Sequence, residues 1–202
     1  MKQLITLITC FVLALQVCAQ DVDLVNRIKT TNSKIKSFDA DLKNTIIKPK
    51  KTSSQEGKLY FVSPNEFAAL FTTGKYMIVN AERINIEIGL FSGVYRLRDG
   101  GIMRSLSNIF LYGFQGRIQQ LADENGYSVT TDSKNGYHIV TCTIKKKKRL
   151  IGIGYKQVVF KYHTDSLLLK EIILFDYKGN MDIYTISNVQ YDVAVNPNTF
   201  IF

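Results

Sequence analysis

The chain has 202 residues, of which 46% are hydrophobic and only three are proline, and its formal net charge at pH 7 is +9. This composition, rich in aromatic and β-branched residues, excludes a disordered chain and favours a sheet-rich globular one. The sequence contains no internal repeat, and its low-complexity content is limited to one short basic run.

The first residues have the pattern of a secretory signal. Lys2 supplies the positive charge, residues 4–17 are almost all apolar, and the small side chain of Ala19 suits a cleavage site. The apolar run is too short for a stable membrane span. We therefore predict a signal peptide at 1–19 and a single exported domain at 20–202.

Removing the signal lowers the net charge to +8 and leaves Cys142 without another cysteine to pair with, so a disulfide framework is not expected. Cys142 lies in an apolar alternating run and is predicted to be a small buried hydrophobe. A lipid anchor on Cys18 is the alternative to cleavage after Ala19. It is the weaker one, because Val17 is larger than the residue that normally precedes such a cysteine.

Apolar spacing predicts the elements of the first half of the chain. A helix is predicted over 21–35, where Leu24, Val25 and Ile28 recur at helical steps. The segment 48–57 is polar and is predicted to be a turn. Alternating apolar residues predict strands at 38–47, on both sides of Ser63-Pro64-Asn65 within 56–71, at 76–79 and at 84–90.

Residues 99–123 change to helical spacing and predict two short helices with a hinge near Gly113 or Gly116. Strands then resume, and they are predicted at 127–129, 137–144, 158–162, 167–177 and 181–189. The fold class is therefore α+β: a long antiparallel sheet covered on one side by helices. A sheet of about ten strands tends to curl, which creates a concave face.

Four segments resemble, in their order and spacing, the family of the periplasmic outer-membrane lipoprotein carrier LolA. They are SFDADL at 37–42, EGKLYFVSPNEF at 56–67, LKEIILFDYKGN at 169–180 and YTISNVQYDVAVNPNTFIF at 184–202. The resemblance implies an incomplete antiparallel barrel closed by lid helices. It implies a monomeric carrier without a cofactor, whose interior takes lipoprotein acyl chains from an inner-membrane transporter and passes them to an outer-membrane acceptor.

Two alternatives remain open at this point. The same fold is compatible with a lipid or lipoprotein sensor, or with an assembly factor. An enzyme is the third possibility, although the sequence offers no trio of residues with the pattern of a catalytic site. His138 and His163 have no further ligands spaced for a metal, and Asp176 and Asn180 suit a turn.

The candidate site is an acyl cavity with its lid. The predicted residues are Leu59, Phe61, Phe67, Phe71, Ile86, Ile88, Ile102, Leu106, Ile109, Phe110, Phe114 and Ile118. The resemblance also points to the position before Pro64, where close relatives carry a basic residue that holds the lid. Here that position is Ser63, whose hydroxyl is predicted to contact a lid carbonyl.

The basic run consists of Lys145, Lys146, Lys147, Lys148 and Arg149. It is interpreted as a solvated turn, with docking to anionic lipid headgroups or an acidic partner as the alternative. Nucleic acid is excluded as a partner, because the protein is predicted to be exported and the run is flanked by aliphatic residues and not by stacking aromatics.

Overall fold

The computed structural model describes residues 22–88, 91–145 and 154–202. The predicted signal at 1–19, Cys18, Leu90 and the basic residues 146–149 lie outside the described residues. The helices are α1 at 22–32, α2 at Gly101–Gln115 and α3 at Ile118–Asn125. The strands are β1 Ser37–Lys48, β2 Lys51–Val62, β3 Glu66–Phe71, β4 Tyr76–Asn80, β5 Arg83–Ile88, β6 Phe91–Arg96, β7 Tyr127–Lys134, β8 Tyr137–Ile144, β9 Tyr155–His163, β10 Leu169–Asp176 and β11 Met181–Tyr191.

All eleven strands of the described part form one sheet in the order β6-β5-β4-β3-β2-β1-β11-β10-β9-β8-β7. Every neighbouring pair is antiparallel. The two halves of the chain are thus two meanders joined where β1 pairs with β11. The sheet is curved and stays open between β6 and β7, and the helices cover it. The predicted α+β class is confirmed.

Two local predictions are wrong. The segment 48–57 is mostly strand, because β1 and β2 pair along their whole length, from Ser37 opposite Val62 to Lys48 opposite Lys51. Its polar residues make backbone ladder bonds that side-chain patterning does not reveal. The strand β6 at Phe91–Arg96 was also missed, since most of its side chains are exposed and carry no clear alternation.

The helical segment breaks at Gly116, while Gly113 lies inside α2. Gly116 has a φ of +67°, and a Cβ atom there would lie 2.7 Å from the carbonyl oxygen of Ile28. Glycine is therefore required both by the left-handed backbone and by the close approach of α1. Arg117 donates its backbone N–H to the carbonyl of Tyr112 at 2.8 Å and completes the cap of α2.

The core lies between the concave side of the sheet and the covering helices. Asn32 ties α1 to the turn between β9 and β10, because its Nδ2 donates to the carbonyl oxygens of Ile28 and Leu167 at 2.8 Å each. Cys142 is fully buried, as predicted. Over the described ranges, no helix is both long enough and apolar enough to cross a membrane.

Candidate functional site

An aromatic cluster fills the middle of the interior. Leu59, Phe61, Phe67 and Phe71, which were predicted to line the acyl cavity, are all buried in this cluster or beside it. Two phenylalanines of α2 close the gap above them. The ring centroids of Phe61 and Phe114 are 5.4 Å apart, those of Phe67 and Phe110 are 5.4 Å apart, and those of Phe67 and Phe114 are 5.7 Å apart. This part of the molecule is a packed core and not a hollow.

A cavity of about 340 Å³ lies beside this cluster, towards the start of α2. It is bounded by β4, β5 and β6, by the first turns of α2, and by the adjoining ends of β1, β10 and β11. Its walls include the apolar side chains of Met77, Ile86, Ile88, Ile102, Leu106 and Leu174. A volume of about 300–1,000 Å³ with mostly apolar walls is typical of small-molecule sites.

The mouth of the cavity is polar. It carries Lys48, Asp176, Lys178, Asn180 and Asp182. Asp176 organises the turn, as predicted: its carboxylate accepts the backbone N–H groups of Lys178 and Asn180 at 2.8 Å each and the Asn180 Nδ2 at 2.6 Å. The arrangement places apolar walls inside and charged groups at the opening, which suits an amphiphilic ligand.

Asp182 lies where the apolar wall meets this rim. In the sheet it stands opposite Ile46 on β1 and Leu174 on β10, and both of these also line the cavity. Burial raises the pKa of the Asp182 carboxyl, the nearby charge of Asp176 adds to the rise, and Lys48 opposes it. The carboxyl therefore takes up a proton more readily than an ordinary aspartate.

Burial keeps the Tyr184 hydroxyl and the Cys142 thiol uncharged. Burial raises the pKa of Tyr184, which lines the cavity, well above its ordinary value. Burial also raises the pKa of the Cys142 thiol to about 12. His138 and His163 are half-buried. Throughout the described residues, no group of three or more His, Cys, Asp and Glu side chains is placed to hold a metal ion.

Four of the twelve predicted cavity residues line this cavity: Ile86, Ile88, Ile102 and Leu106. The other eight lie in the packed core: Leu59, Phe61, Phe67, Phe71, Ile109, Phe110, Phe114 and Ile118. Sequence reasoning missed Met77 and Leu174 as wall residues. Met77 stands opposite Ile86 in the β4–β5 ladder, so a pairing of these two predicted strands would have placed both on one face.

The turn between β2 and β3 contacts α2 through Pro64, the residue that follows Ser63. Gln115 Nε2 donates a hydrogen bond to the carbonyl oxygen of Pro64, while Ser63 donates its backbone N–H to the carbonyl oxygen of Lys36 at 2.8 Å. A second bond pins α2 to the sheet, since the Tyr162 hydroxyl donates to the carbonyl oxygen of Gly113 at 2.8 Å. A role for the Ser63 hydroxyl stays a prediction. Lys145, the described member of the basic run, is exposed.

The fold and the site together define a class of protein: an open antiparallel sheet whose concave face is covered by helices, with an apolar cavity between them. Solved structures with a similar fold include an uncharacterized conserved protein from Thermus thermophilus, which is 7% identical and has a TM-score of 0.50 over 91% of this chain and 92% of that one. The LolA superfamily protein NE2245 from Nitrosomonas europaea is 9% identical, with a TM-score of 0.46 over 90% of this chain and 97% of that one.

A DUF1329 family protein from Desulfovibrio piger ATCC 29098 is also similar. It is 17% identical, with a TM-score of 0.48 over 91% of this chain and 96% of that one. No family model and no curated protein matches the sequence. At these identities the likeness is one of fold alone.

Proposed function

We propose that this protein binds the hydrocarbon chain of a lipid or lipoprotein and carries it across the aqueous periplasm. The observation that supports this most directly is the cavity of about 340 Å³, with apolar walls and a charged mouth, between the sheet and α2. Burying hydrocarbon there is favourable, because each methylene removed from water contributes about 0.8 kcal/mol. No covalent step is needed for such a role.

The covering helix sets the depth to which a chain inserts. The aromatic cluster blocks the interior beyond the cavity, so a long acyl chain requires α2 to move away from the sheet. Few side-chain hydrogen bonds resist such a movement: those from Gln115 to Pro64 and from Tyr162 to Gly113 are the two described above. Ligand binding would then favour an open arrangement of the same fold.

Transfer between membranes belongs to the same proposal. The predicted signal at 1–19 and a single domain at 20–202 are compatible with an exported carrier. In this proposal an inner-membrane transporter loads the cavity and an outer-membrane acceptor empties it. The polar mouth fits such exchange, because a lipid headgroup or the peptide part of a lipoprotein remains in water while the chain is sheltered.

The test is native mass spectrometry of the purified protein, combined with lipid extraction. We expect a bound lipid in the wild-type protein and its loss in Ile102→Trp. Ile102 is half-buried at the start of α2 and lines the cavity, so the indole ring of tryptophan would fill space that the smaller isoleucine leaves open. Val22→Trp is the matched control, because Val22 is 61% exposed on α1 and does not line the cavity. A wild-type protein that binds no long-chain lipid, or an Ile102→Trp protein that binds it unchanged, contradicts the proposal.

A further inference from the structure

A second cleft, of about 690 Å³, lies on another side of α2, between that helix and the start of β5 with the end of β6. Five arginines line it: Arg83, Arg96, Arg98, Arg104 and Arg117. Glu82 is the acidic residue among its lining side chains. Lys145, the described member of the basic run, does not line it. The cleft is therefore a concentration of positive charge that the sequence pattern did not indicate.

Little of this charge is neutralised by the protein. Across the described ranges, the one carboxylate within 4.0 Å of these guanidinium groups is Asp99, 3.6 Å from Arg98, and both side chains are well exposed. Such an exposed pair contributes little. The other four arginines have no ion pair within the part of the chain that the structure describes. Their charges are available to a ligand.

Arg117 is held in place by neutral groups. Its Nη1 donates to the Gln115 side chain at 2.9 Å, its Nε donates to the Gln120 side chain at 2.9 Å, and its guanidinium lies 4.7 Å from the ring centroid of Tyr112. These contacts orient the guanidinium without cancelling its charge. An ordered cation with free charge is suited to binding an anion.

Arg83 and Arg96 stand directly opposite each other in the β5–β6 ladder. Like charges at opposed positions destabilise an antiparallel pair. A bound anion would relieve this repulsion and bridge both side chains. Guanidinium groups match the oxygens of phosphate in a two-pronged geometry, which makes phosphate the anion that this arrangement fits best.

Exposed apolar residues adjoin the arginines on the same edge strand. Val94 is 55% exposed and lies two residues before Arg96 on the same face of the strand, and Tyr95 is 36% exposed on the other face. Aliphatic, tyrosine and arginine side chains together suit the boundary of a lipid bilayer, where phosphate groups and hydrocarbon are both within reach. We propose that the arginine cleft and the exposed end of β6 dock this protein onto anionic phospholipid headgroups at a membrane surface.

The test is cosedimentation of the purified protein with vesicles. We expect binding to phosphatidylglycerol-containing vesicles, weak binding to pure phosphatidylcholine vesicles, and loss of binding at high salt. Because each arginine near an anionic surface contributes about fivefold in affinity, Arg83→Gln combined with Arg96→Gln should weaken binding about 25-fold. Lys134→Gln combined with Lys156→Gln removes the same charge at exposed positions outside the cleft and should bind as the wild type does.

A second pair of variants distinguishes a loss of membrane binding from a loss of folding. Arg98→Gln and Arg104→Gln lie outside the strand ladder, and together they should give the same loss. Docking does not depend on the cavity, so Ile102→Trp should still sediment with anionic vesicles. The proposal is overturned by equal binding to neutral vesicles or by no loss in either arginine pair. Binding of inorganic phosphate or an acidic peptide without binding to vesicles would overturn it as well.

Discussion

Asp182 is a carboxylate set between two aliphatic neighbours, and its ionisation opposes folding. The strand pairing places it between Ile46 and Leu174, and its side chain is half-buried at the rim of the cavity. Burial, reinforced by Asp176, raises its pKa. Asp182 at the mouth of the cavity therefore lowers the free energy of unfolding at neutral pH. Because it lines the cavity, this carboxyl would also feel the loss of water when hydrocarbon enters.

Replacing Asp182 by asparagine should stabilise the protein at neutral pH. In the folded state the Asp182 carboxyl stays protonated to a higher pH than in the unfolded state, where the pKa of an aspartate is about 3.9. Stability therefore falls as pH rises from about 4 through the raised pKa of Asp182, and the asparagine variant lacks this decrease. The free energy of unfolding, measured in urea, should be higher than in the wild type at pH 7, with the difference vanishing near pH 3.

The control for this experiment is Asp123→Asn, which changes an exposed aspartate of α3. It removes the same charge at an exposed site outside the cavity, so an effect of net charge alone would appear in both variants. A lower stability of the Asp182 variant at pH 7 would contradict the reasoning. It would mean that the carboxylate makes a favourable contact in the folded state.

At the residue scale, the sequence predicted faces but not volumes. The alternation of apolar residues within 56–71 indicated a buried face, and Phe61 and Phe67 are indeed buried; the apolar run around Cys142 correctly predicted its burial. Such alternation does not reveal which side chains pack against that face. Phe110 and Phe114 fill the space above the two strand phenylalanines, and this depends on where α2 crosses the sheet, which is a property of the assembled fold.

The element that decides access to the interior is α2. It touches the sheet most closely at Gly113, where a Cβ atom would lie 2.7 Å from Cε1 of Phe160 and 3.4 Å from Cδ1 of Ile172. The Phe160 ring is fully buried. The absence of a side chain at Gly113 thus permits both this close packing and the hydrogen bond from Tyr162.

Gly113→Ala should destabilise the protein although alanine favours helices. Alanine gains about 1 kcal/mol in helix propensity over glycine, but overpacking a core typically costs about 1–3 kcal/mol. We expect a net loss of about 1 kcal/mol in the free energy of unfolding, together with faster exchange of bound lipid, because α2 is pushed outward. Urea unfolding and the dissociation rate of a fluorescent fatty acid measure the two effects.

Gln119→Ala is the matched control, since Gln119 is exposed on the neighbouring helix α3 and lines neither the cavity nor the arginine cleft. It should change the free energy of unfolding by no more than about 0.5 kcal/mol and leave lipid exchange unaltered. A stabilised Gly113→Ala protein would show that the helix is loosely seated and that the close contact with Phe160 relaxes at no cost.

Helices and strands were predicted where apolar side chains recur at regular spacing. They were missed where backbone hydrogen bonds between strands are the only feature that defines them. The break at a glycine within 99–123 was foreseen, because a second run of helical spacing follows it. The strand character of 51–57 was not foreseen, since it comes from ladder bonds to β1 between polar residues. The strand Phe91–Arg96 escaped for a related reason: it is an edge strand with largely exposed side chains.

For the whole molecule, the two proposed sites share α2. The cavity takes Ile102 and Leu106 from this helix, whereas the arginine cleft takes Arg104 and Asn108. A helix that contacts a sheltered chain on one side and a membrane surface on another can connect docking with release. A phosphate bound in the cleft and a chain bound in the cavity would each act on the position of the same element.

Saturating lipid should therefore raise the thermal stability of the molecule as a unit. A ligand at 100 times its dissociation constant stabilises the native state by about 2.7 kcal/mol. For a domain of this size that corresponds to about 5–10 °C in Tm, because each kcal/mol shifts the midpoint by about 2–4 °C. Differential scanning calorimetry with a sixteen-carbon lysophospholipid should show this rise in the wild type and in Arg83→Gln combined with Arg96→Gln. Ile102→Trp should abolish it, and an equal rise in Ile102→Trp would place the ligand outside the cavity.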